Sequence, residues 1–165
     1  MSKKTMIGWC IALGLLDGLY CILCTFLPHV CNFMWIGFIS LPIFFAGGAD
    51  IKQAPRYAVC SICGVGWGAL TEIILGVTGL NWALNYVVVL TIVVGICCYV
   101  HMFLLTEDKL GGLFASCPAA FGGFAAIFSQ GVGETIPVCC TLVLGVVLGV
   151  IMAWIVGPIG KIFDK

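Results

Sequence analysis

The chain has 165 residues, of which 62% are hydrophobic and only 8% are charged, with seven basic and seven acidic side chains. Soluble domains carry about 25% charged residues. This composition therefore excludes a soluble protein, a nucleic-acid binder with a basic patch and an intrinsically disordered chain, and it indicates a chain embedded in a lipid bilayer.

Six apolar segments follow one another along the chain, each close to the roughly 20 residues that a membrane-spanning helix needs. With boundaries good to about three residues, the predicted spans are 6–27, 31–48, 57–78, 83–105, 111–130 and 137–158. The connections between them are short. The sequence therefore predicts an all-α integral membrane protein with six transmembrane helices and a single domain over residues 1–165.

Basic residues fall on one side of the predicted membrane. If the chain crosses the membrane six times, all seven basic residues lie in the termini and loops on the same side. They are Lys3, Lys4, Lys52, Arg56, Lys109, Lys161 and Lys165. Basic residues mark the cytoplasmic side of a membrane protein, so both termini are predicted to be inside.

Two windows near spans two and five share the pattern F-x-S-x-P-x-x-F-x-G. They cover residues 38–47 and 114–123, an offset of 76. The shared polar and breaking residues are Ser40 and Pro42 in the first window and Ser116 and Pro118 in the second. Each half of the chain, 6–78 and 83–158, has three spans, so the second half would be inverted in the membrane. The sequence predicts a 3+3 inverted repeat, although apolar helices also resemble one another by chance.

The Ser-x-Pro elements predict breaks in spans two and five. Proline removes one helical hydrogen bond and frees a carbonyl one turn earlier, and freed backbone groups inside a membrane must face protein or water. Breaks in matching positions of two halves point to a pore or a binding site at the repeat interface. The alternative is a pair of kinks that only shape the bundle.

A few polar side chains lie inside the predicted spans. Asp17 is near the middle of span one, where a carboxylate costs about 2.5–3.5 kcal/mol on insertion scales, so it is expected to face a pathway and to be able to carry a proton. Glu72 in span three, His101 in span four and Gln130 at the outer end of span five are further candidates for a solute path. For Asp17, Glu72 and His101 the alternative is a structural role within the bundle, and for Gln130 it is a plain loop.

Spans three and six each carry a Gly-x-x-x-Gly pair, Gly64 with Gly68 and Gly145 with Gly149. Such pairs let helices approach closely. They are candidate helix-packing faces, and they offer interfaces for a homo-oligomer, of which a trimer is one form.

Eleven cysteines are spread mainly through the spans. We interpret them as small apolar packing residues and predict no disulfide framework, metal site or cofactor. The sequence lacks nucleophile-elbow, zincin and phosphate-loop motifs, so it predicts no enzyme.

The C-terminal third carries Pro118-x-x-Phe121-x-Gly123-x-x-Ala126-x-Phe128, followed by Leu142-x-Leu144-Gly145-x-x-x-Gly149-x-x-Met152. This run resembles the YcdZ-type family of small bacterial inner-membrane proteins, a domain-of-unknown-function family. The likeness is looser in the first half, at residues 44–48. It implies a multi-pass protein of the bacterial cytoplasmic membrane, and it supplies no substrate or catalytic residue.

These features favour a channel or facilitator for a small neutral solute, an amine or a small cation, with its path at the repeat interface. One alternative is a proton-coupled small-molecule transporter that uses Asp17 and Glu72. A second is a non-transporting membrane scaffold or subunit. The expected partners are the lipid bilayer, further copies of the chain and a small solute, and no nucleic acid.

Overall fold

The computed structural model describes residues 3–79, 82–106 and 108–163. Lys165, one of the seven basic residues, lies outside these ranges, as do the acidic residues Glu107 and Asp164. Within them the chain forms six α-helices, which are α1 Lys3–Phe26, α2 Met34–Ala46, α3 Ala54–Val77, α4 Trp82–Tyr99, α5 Cys117–Gln130 and α6 Thr135–Phe163. A π-helical turn, Val100–Leu104, continues α4.

Four helical stretches are long and apolar enough to cross a membrane: Lys3–Phe26, Ile51–Val77, Ala83–Leu104 and Val132–Ile155. They indicate a membrane protein, as the composition predicted. The other two helices are shorter than predicted, since α2 has 13 residues and α5 has 14. At 1.5 Å per residue each is about 20 Å long, less than the roughly 30 Å of a bilayer core. Six full-length spans are therefore not confirmed.

Local sequence explains why α2 and α5 are short. After Ala46 the chain leaves the helix at two glycines, of which Gly48 has a φ of 96°, in the left-handed region that favours glycine. Before α5, Gly111 and Gly112 also have positive φ values. Pro118 then sits in the first helical turn, where its missing N–H costs nothing.

The core is built from two pairs of parallel helices in which glycines permit close contact. In the α3–α5 pair, a Cβ on Gly64 would lie 1.8 Å from the carbonyl oxygen of Ala120. In the α2–α6 pair, a Cβ on Gly145 would lie 2.2 Å from the carbonyl oxygen of Gly37. One turn further on, Gly68 meets Ile127, and Gly149 meets Phe44. The four glycines thus pack helices within the chain, and their faces are not open to a second copy as the sequence suggested.

The contacts between helices follow an ordered pattern. Helix α3 packs most extensively on α5, and α6 packs most extensively on α2; α4 lies against α3, as α1 lies against α6. These contacts are unchanged if α2 is exchanged with α5, α3 with α6 and α1 with α4. The bounds of the helices follow the same equivalence. Shifted by 83 residues, Met34–Ala46 covers 117–129, nearly all of α5. Shifted by 81 residues, Ala54–Val77 covers 135–158, which starts where α6 starts.

The shared Ser-x-Pro pattern does not follow this register. Ser40 and Pro42 lie inside α2, and the helix continues past the proline to Ala46. Ser116 directly precedes α5, and Pro118 lies in its first turn. The prediction that prolines break both spans in matching positions is therefore wrong. Pro42 removes a hydrogen bond from the interior of α2, whereas Pro118 lies in the first turn of α5. The motif repeats at an offset of 76 residues, whereas α2 and α5 are related by an offset of 83 residues. The difference is about two helical turns.

Helices α1 and α4 lie at the periphery and expose apolar side chains. On α1 these include Ile11, Leu15 and Leu19, which are 58%, 64% and 60% exposed. Exposed aliphatic surface of this extent suits contact with lipid acyl chains.

Candidate functional site

The candidate site lies at the end of the bundle where α2 and α4 finish and α3 and α5 begin. Two cavities adjoin there, with volumes of about 390 and 440 Å³. Both are lined by Ser116 and Pro118. The site is therefore organised around the start of α5.

The first cavity lies between α4 and α5. Besides the two shared residues, its lining comprises His101, Met102, Thr106, Ala115 and Cys117. Hydroxyl, thiol and imidazole groups thus meet apolar surface, a combination suited to water and small polar molecules.

The second cavity lies between α2 and α5, and its lining adds Pro42, Ile43, Ala46, Gly47 and Tyr57. The Tyr57 hydroxyl donates a hydrogen bond to the Gly47 carbonyl at 3.2 Å. A Cβ on residue 47 would lie 1.9 Å from that hydroxyl oxygen, so glycine is required for the contact. The bond joins the end of α2 to the start of α3 and forms one wall of the cavity.

The Ser116 backbone is extended, with φ −140° and ψ 90°, as is usual for a residue that directly precedes the first residue of a helix. Its side chain is 7% exposed. The Ser116 carbonyl accepts the Ala120 N–H at 3.1 Å, the first hydrogen bond of α5. The serine is therefore fixed by the backbone while it borders both cavities.

His101 lies in the π-helical turn after α4 and is 3% exposed. Its Nδ1 is 2.7 Å from the Phe114 carbonyl oxygen, and its Nε2 is 3.3 Å from the indole nitrogen of Trp67. A carbonyl only accepts and an indole N–H only donates. The ring is therefore neutral, with its proton on Nδ1, and it joins α3, α4 and the segment before α5.

Several candidates from the sequence lie away from these cavities. Asp17 is half-buried on the inner face of α1, and its Oδ1 is buried without a hydrogen-bond partner. Ser40, 1% exposed within α2, also has a hydroxyl oxygen without a partner. Neither residue borders the two cavities.

Glu72 and Gln130 lie at the opposite end of the bundle. The Glu72 Oε2 accepts a hydrogen bond from the Val132 N–H at 3.1 Å, which joins α3 to the turn before α6. The Gln130 amide donates to the Ser129 hydroxyl at 3.1 Å. The structure thus brings together Pro42, His101, Ser116 and Pro118 among the predicted residues, and it separates them from Asp17, Glu72 and Gln130.

Sequence reasoning missed the contributions of Trp67 and Tyr57 to this site. Trp67 reaches His101 across 34 residues of chain. Tyr57 reaches the Gly47 carbonyl of the preceding helix. Within residues 3–79, 82–106 and 108–163, no three His, Cys, Asp or Glu side chains form a group that could hold a metal ion.

A scan against protein-family models matches residues 10–157 to the model described as "Protein of unknown function (DUF1097)". The match covers nearly the whole chain. The chain belongs to the DUF1097 family. For this DUF1097 protein, searches of curated proteins and of solved structures found no match.

Proposed function

We propose that this DUF1097 protein is a channel or facilitator for a small solute, with its path at the interface between the two halves of the chain. The observation that carries the proposal is the pair of adjoining cavities at the start of α5. The second of them lies between α2 of one half and α5 of the other. Transporters built from inverted repeats place their substrate sites at such an interface.

The exchange of helix contacts between the halves supports an inverted repeat. The two units would comprise 6–78 and 83–158, and because each has three spans they would have opposite orientations. In the repeat that we propose, α2 is equivalent to α5 and α3 is equivalent to α6. This equivalence follows from the helix contacts and not from the offset of the Ser-x-Pro pattern.

The solute that best fits the site is small and polar. It is a neutral molecule, an amine or a small cation. Ser116, Thr106 and Tyr57 supply hydroxyl groups, and the neutral His101 ring has both nitrogens engaged. Neither cavity wall, as far as the described residues define it, includes a Lys or Arg side chain to attract an anion.

The proposed setting is the bacterial cytoplasmic membrane, in agreement with the resemblance to the YcdZ-type proteins. Because basic residues are more frequent on the cytoplasmic side, we propose that both termini, and the end of the bundle that holds the cavities, face the cytoplasm. We propose a homo-oligomer, such as a trimer, with neither enzymatic activity nor a cofactor. Since the glycine pairs are used within the chain, the interface between copies would involve the exposed faces of α1 or α4.

The test is a stopped-flow light-scattering assay on proteoliposomes with a panel of small neutral solutes and amines. Ser116→Phe would fill the wall common to both cavities, and Ala46→Phe would fill the second cavity from α2. The matched control is Ser129→Phe, because Ser129 is exposed at the other end of α5. We expect selective permeability in the wild type and the control, reduced at least about fivefold in both cavity variants.

Equal permeability in all four proteins would contradict a path through these cavities. No permeability to any solute, from protein shown to be folded, would favour the non-transporting scaffold or subunit. Proton-coupled transport by way of Asp17 and Glu72 is the second candidate, and the buried, unpartnered Oδ1 of Asp17 favours it. It predicts uptake that rises with an inward proton gradient and loses that dependence in Asp17→Asn.

A further inference from the structure

Two cysteine side chains from different helices meet at the wall of the first cavity. Cys117 is the first residue of α5 and lines that cavity, which is open to the surface on one side. Cys98 is the penultimate residue of α4. Their sulfur atoms are 3.6 Å apart, with Cys117 donating its S–H to the sulfur of Cys98. Both side chains are partly exposed.

The backbone around the pair is held in place by neighbouring hydrogen bonds. His101 lies one turn after Cys98 on the same face of the helical segment, and it binds the Phe114 carbonyl three residues before Cys117. Cys60 of α3 donates its S–H to the Leu113 carbonyl at 3.5 Å. These two hydrogen bonds fix the segment before α5 against α3 and the end of α4, and they thereby bring the two thiols together.

A disulfide has an S–S distance of about 2.05 Å. Starting from 3.6 Å, the remaining approach of about 1.5 Å is within reach of rotation about the two side-chain bonds. Constraint of both thiols by the fold raises their effective concentration for reaction with one another far above that of free thiols in solution.

We propose that Cys98 and Cys117 form a redox-active pair that closes reversibly into a disulfide on reaction with a hydroperoxide. The Cys117 thiol, which borders the cavity, gives up its proton, and its sulfur attacks the terminal peroxide oxygen. The O–O bond breaks, and the alkoxide that leaves takes up the proton released by Cys117 and becomes the alcohol. Cys117 becomes a sulfenic acid. The Cys98 sulfur then attacks the Cys117 sulfur, hydroxide leaves, and the Cys98 proton converts it to water.

The overall step converts two thiols and one hydroperoxide into one disulfide, one alcohol and one water. Two electrons pass from the thiols to the peroxide oxygens. An external thiol reverses the closure by thiol–disulfide exchange. In a reducing compartment the dithiol is the resting form and the disulfide is transient.

The experiment treats the folded, purified protein with tert-butyl hydroperoxide, blocks the remaining thiols with an alkylating agent and maps the peptides by mass spectrometry. We expect a linked pair of peptides containing Cys98 and Cys117, which has lost two hydrogen atoms and is restored by dithiothreitol. In Cys98→Ser, Cys117 should instead remain a sulfenic acid that dimedone traps. Cys139→Ser, which lies on α6 away from the pair, is the control and should form the link as the wild type does.

Circular dichroism and size-exclusion chromatography verify that each variant is folded, and oxidation of the exposed Cys10 verifies that the peroxide is active. If Cys10 is oxidised while no link joins Cys98 to Cys117, the proposal is wrong. It is also wrong if Cys117 is linked to another cysteine, or if Cys98→Ser leaves no trappable sulfenic acid. None of these results depends on whether the protein transports a solute.

Discussion

Trp67 donates its indole N–H to Nε2 of His101 at 3.3 Å, and this bond ties the middle of α3 to the π-helical turn that ends α4. The other ring nitrogen holds the Phe114 carbonyl. One buried imidazole therefore connects three segments. π-Helical turns inside helices are frequent at functional sites, and this one borders a cavity.

The strength of that bond can be measured with a double-mutant cycle of Trp67→Phe and His101→Leu. Hydrogen bonds between membrane helices average about 0.6 kcal/mol and reach about 1.7, so we expect a coupling energy in this range from unfolding in mixed micelles. Trp154→Phe is the control, because Trp154 is 72% exposed, and it should change the free energy of unfolding little. A coupling energy of zero would contradict the pairing.

Substitution of a glycine by alanine should destabilise the protein where the glycine contacts another helix and should not destabilise it where the glycine faces open space. In Gly64→Ala the new methyl group would lie 1.8 Å from the Ala120 carbonyl oxygen, so α3 and α5 must move apart. We expect a loss of about 1–3 kcal/mol in the free energy of unfolding, typical of overpacking.

The matched control for that variant is Gly66→Ala on the same helix, where nothing lies within 4 Å. Alanine is favoured over glycine in a helix interior by about 0.8–1.0 kcal/mol, so this variant should be as stable as the wild type or more so. Equal destabilisation of both variants, measured by thermal unfolding in detergent, would mean that α3 and α5 do not pack as described.

Asp17 should limit stability. Its buried Oδ1 has no hydrogen-bond partner, and an unsatisfied buried polar group costs about 1–3 kcal/mol. Asp17→Leu is therefore expected to raise the free energy of unfolding by an amount in this range. Thr25→Leu replaces an exposed polar residue on the same helix and should have a smaller effect. A destabilised Asp17→Leu protein would indicate that the carboxyl group makes a necessary structural contact.

Cys31, in the segment between α1 and α2, provides a pH-dependent prediction. Its side chain is 2% exposed, and burial, followed by the neighbouring Cys24, raises the pKa of the Cys31 thiol from its ordinary value of 9.0 to about 12. The unfolded chain ionises this thiol above pH 9 while the folded chain keeps it protonated. The stabilising contribution is therefore complete below pH 9 and declines as the pH rises toward 12.

Two measurements check the prediction for Cys31. Iodoacetamide at pH 9 should leave Cys31 unmodified in the folded protein and modify it in the denatured protein, because the thiolate is the reactive form. Denaturant unfolding between pH 8 and 11 should show a smaller loss of stability in Cys31→Ala than in the wild type. Alkylation of Cys31 at the same rate in the folded and the denatured protein would contradict the prediction.

Composition and apolar length were sufficient to predict an all-helical membrane protein, but α5 begins six residues after its predicted start and α6 ends five residues after its predicted end. The predicted span 57–78 corresponds to α3, Ala54–Val77. The two short helices were overestimated because apolar residues continue beyond their ends. The signals for those ends were Gly48 and Pro118, whose effect depends on backbone geometry and not on hydropathy.

The candidate site was partly predictable. Proline and serine inside apolar segments drew attention to Ser116, Pro118 and Pro42, and a histidine inside a predicted span drew attention to His101. These four residues line the cavities. The pairing of His101 with Trp67 could not be predicted, because it depends on the rotation and offset of α4 against α3. A single sequence without periodic polarity on α4 contains no information on either quantity.

The contact pattern has a consequence for how the protein is made. The main partner of α2 is α6, and the main partner of α3 is α5, so neither half of the chain contains its own core. During synthesis, Gly37 has no Gly145 to pack against until the last helix has been inserted. Release of the nascent chain before residue 117, where α5 begins, would leave the small-residue faces of both α2 and α3 open to lipid or to other unfinished chains. Two fragments divided between α3 and α4 should instead assemble when they are co-expressed.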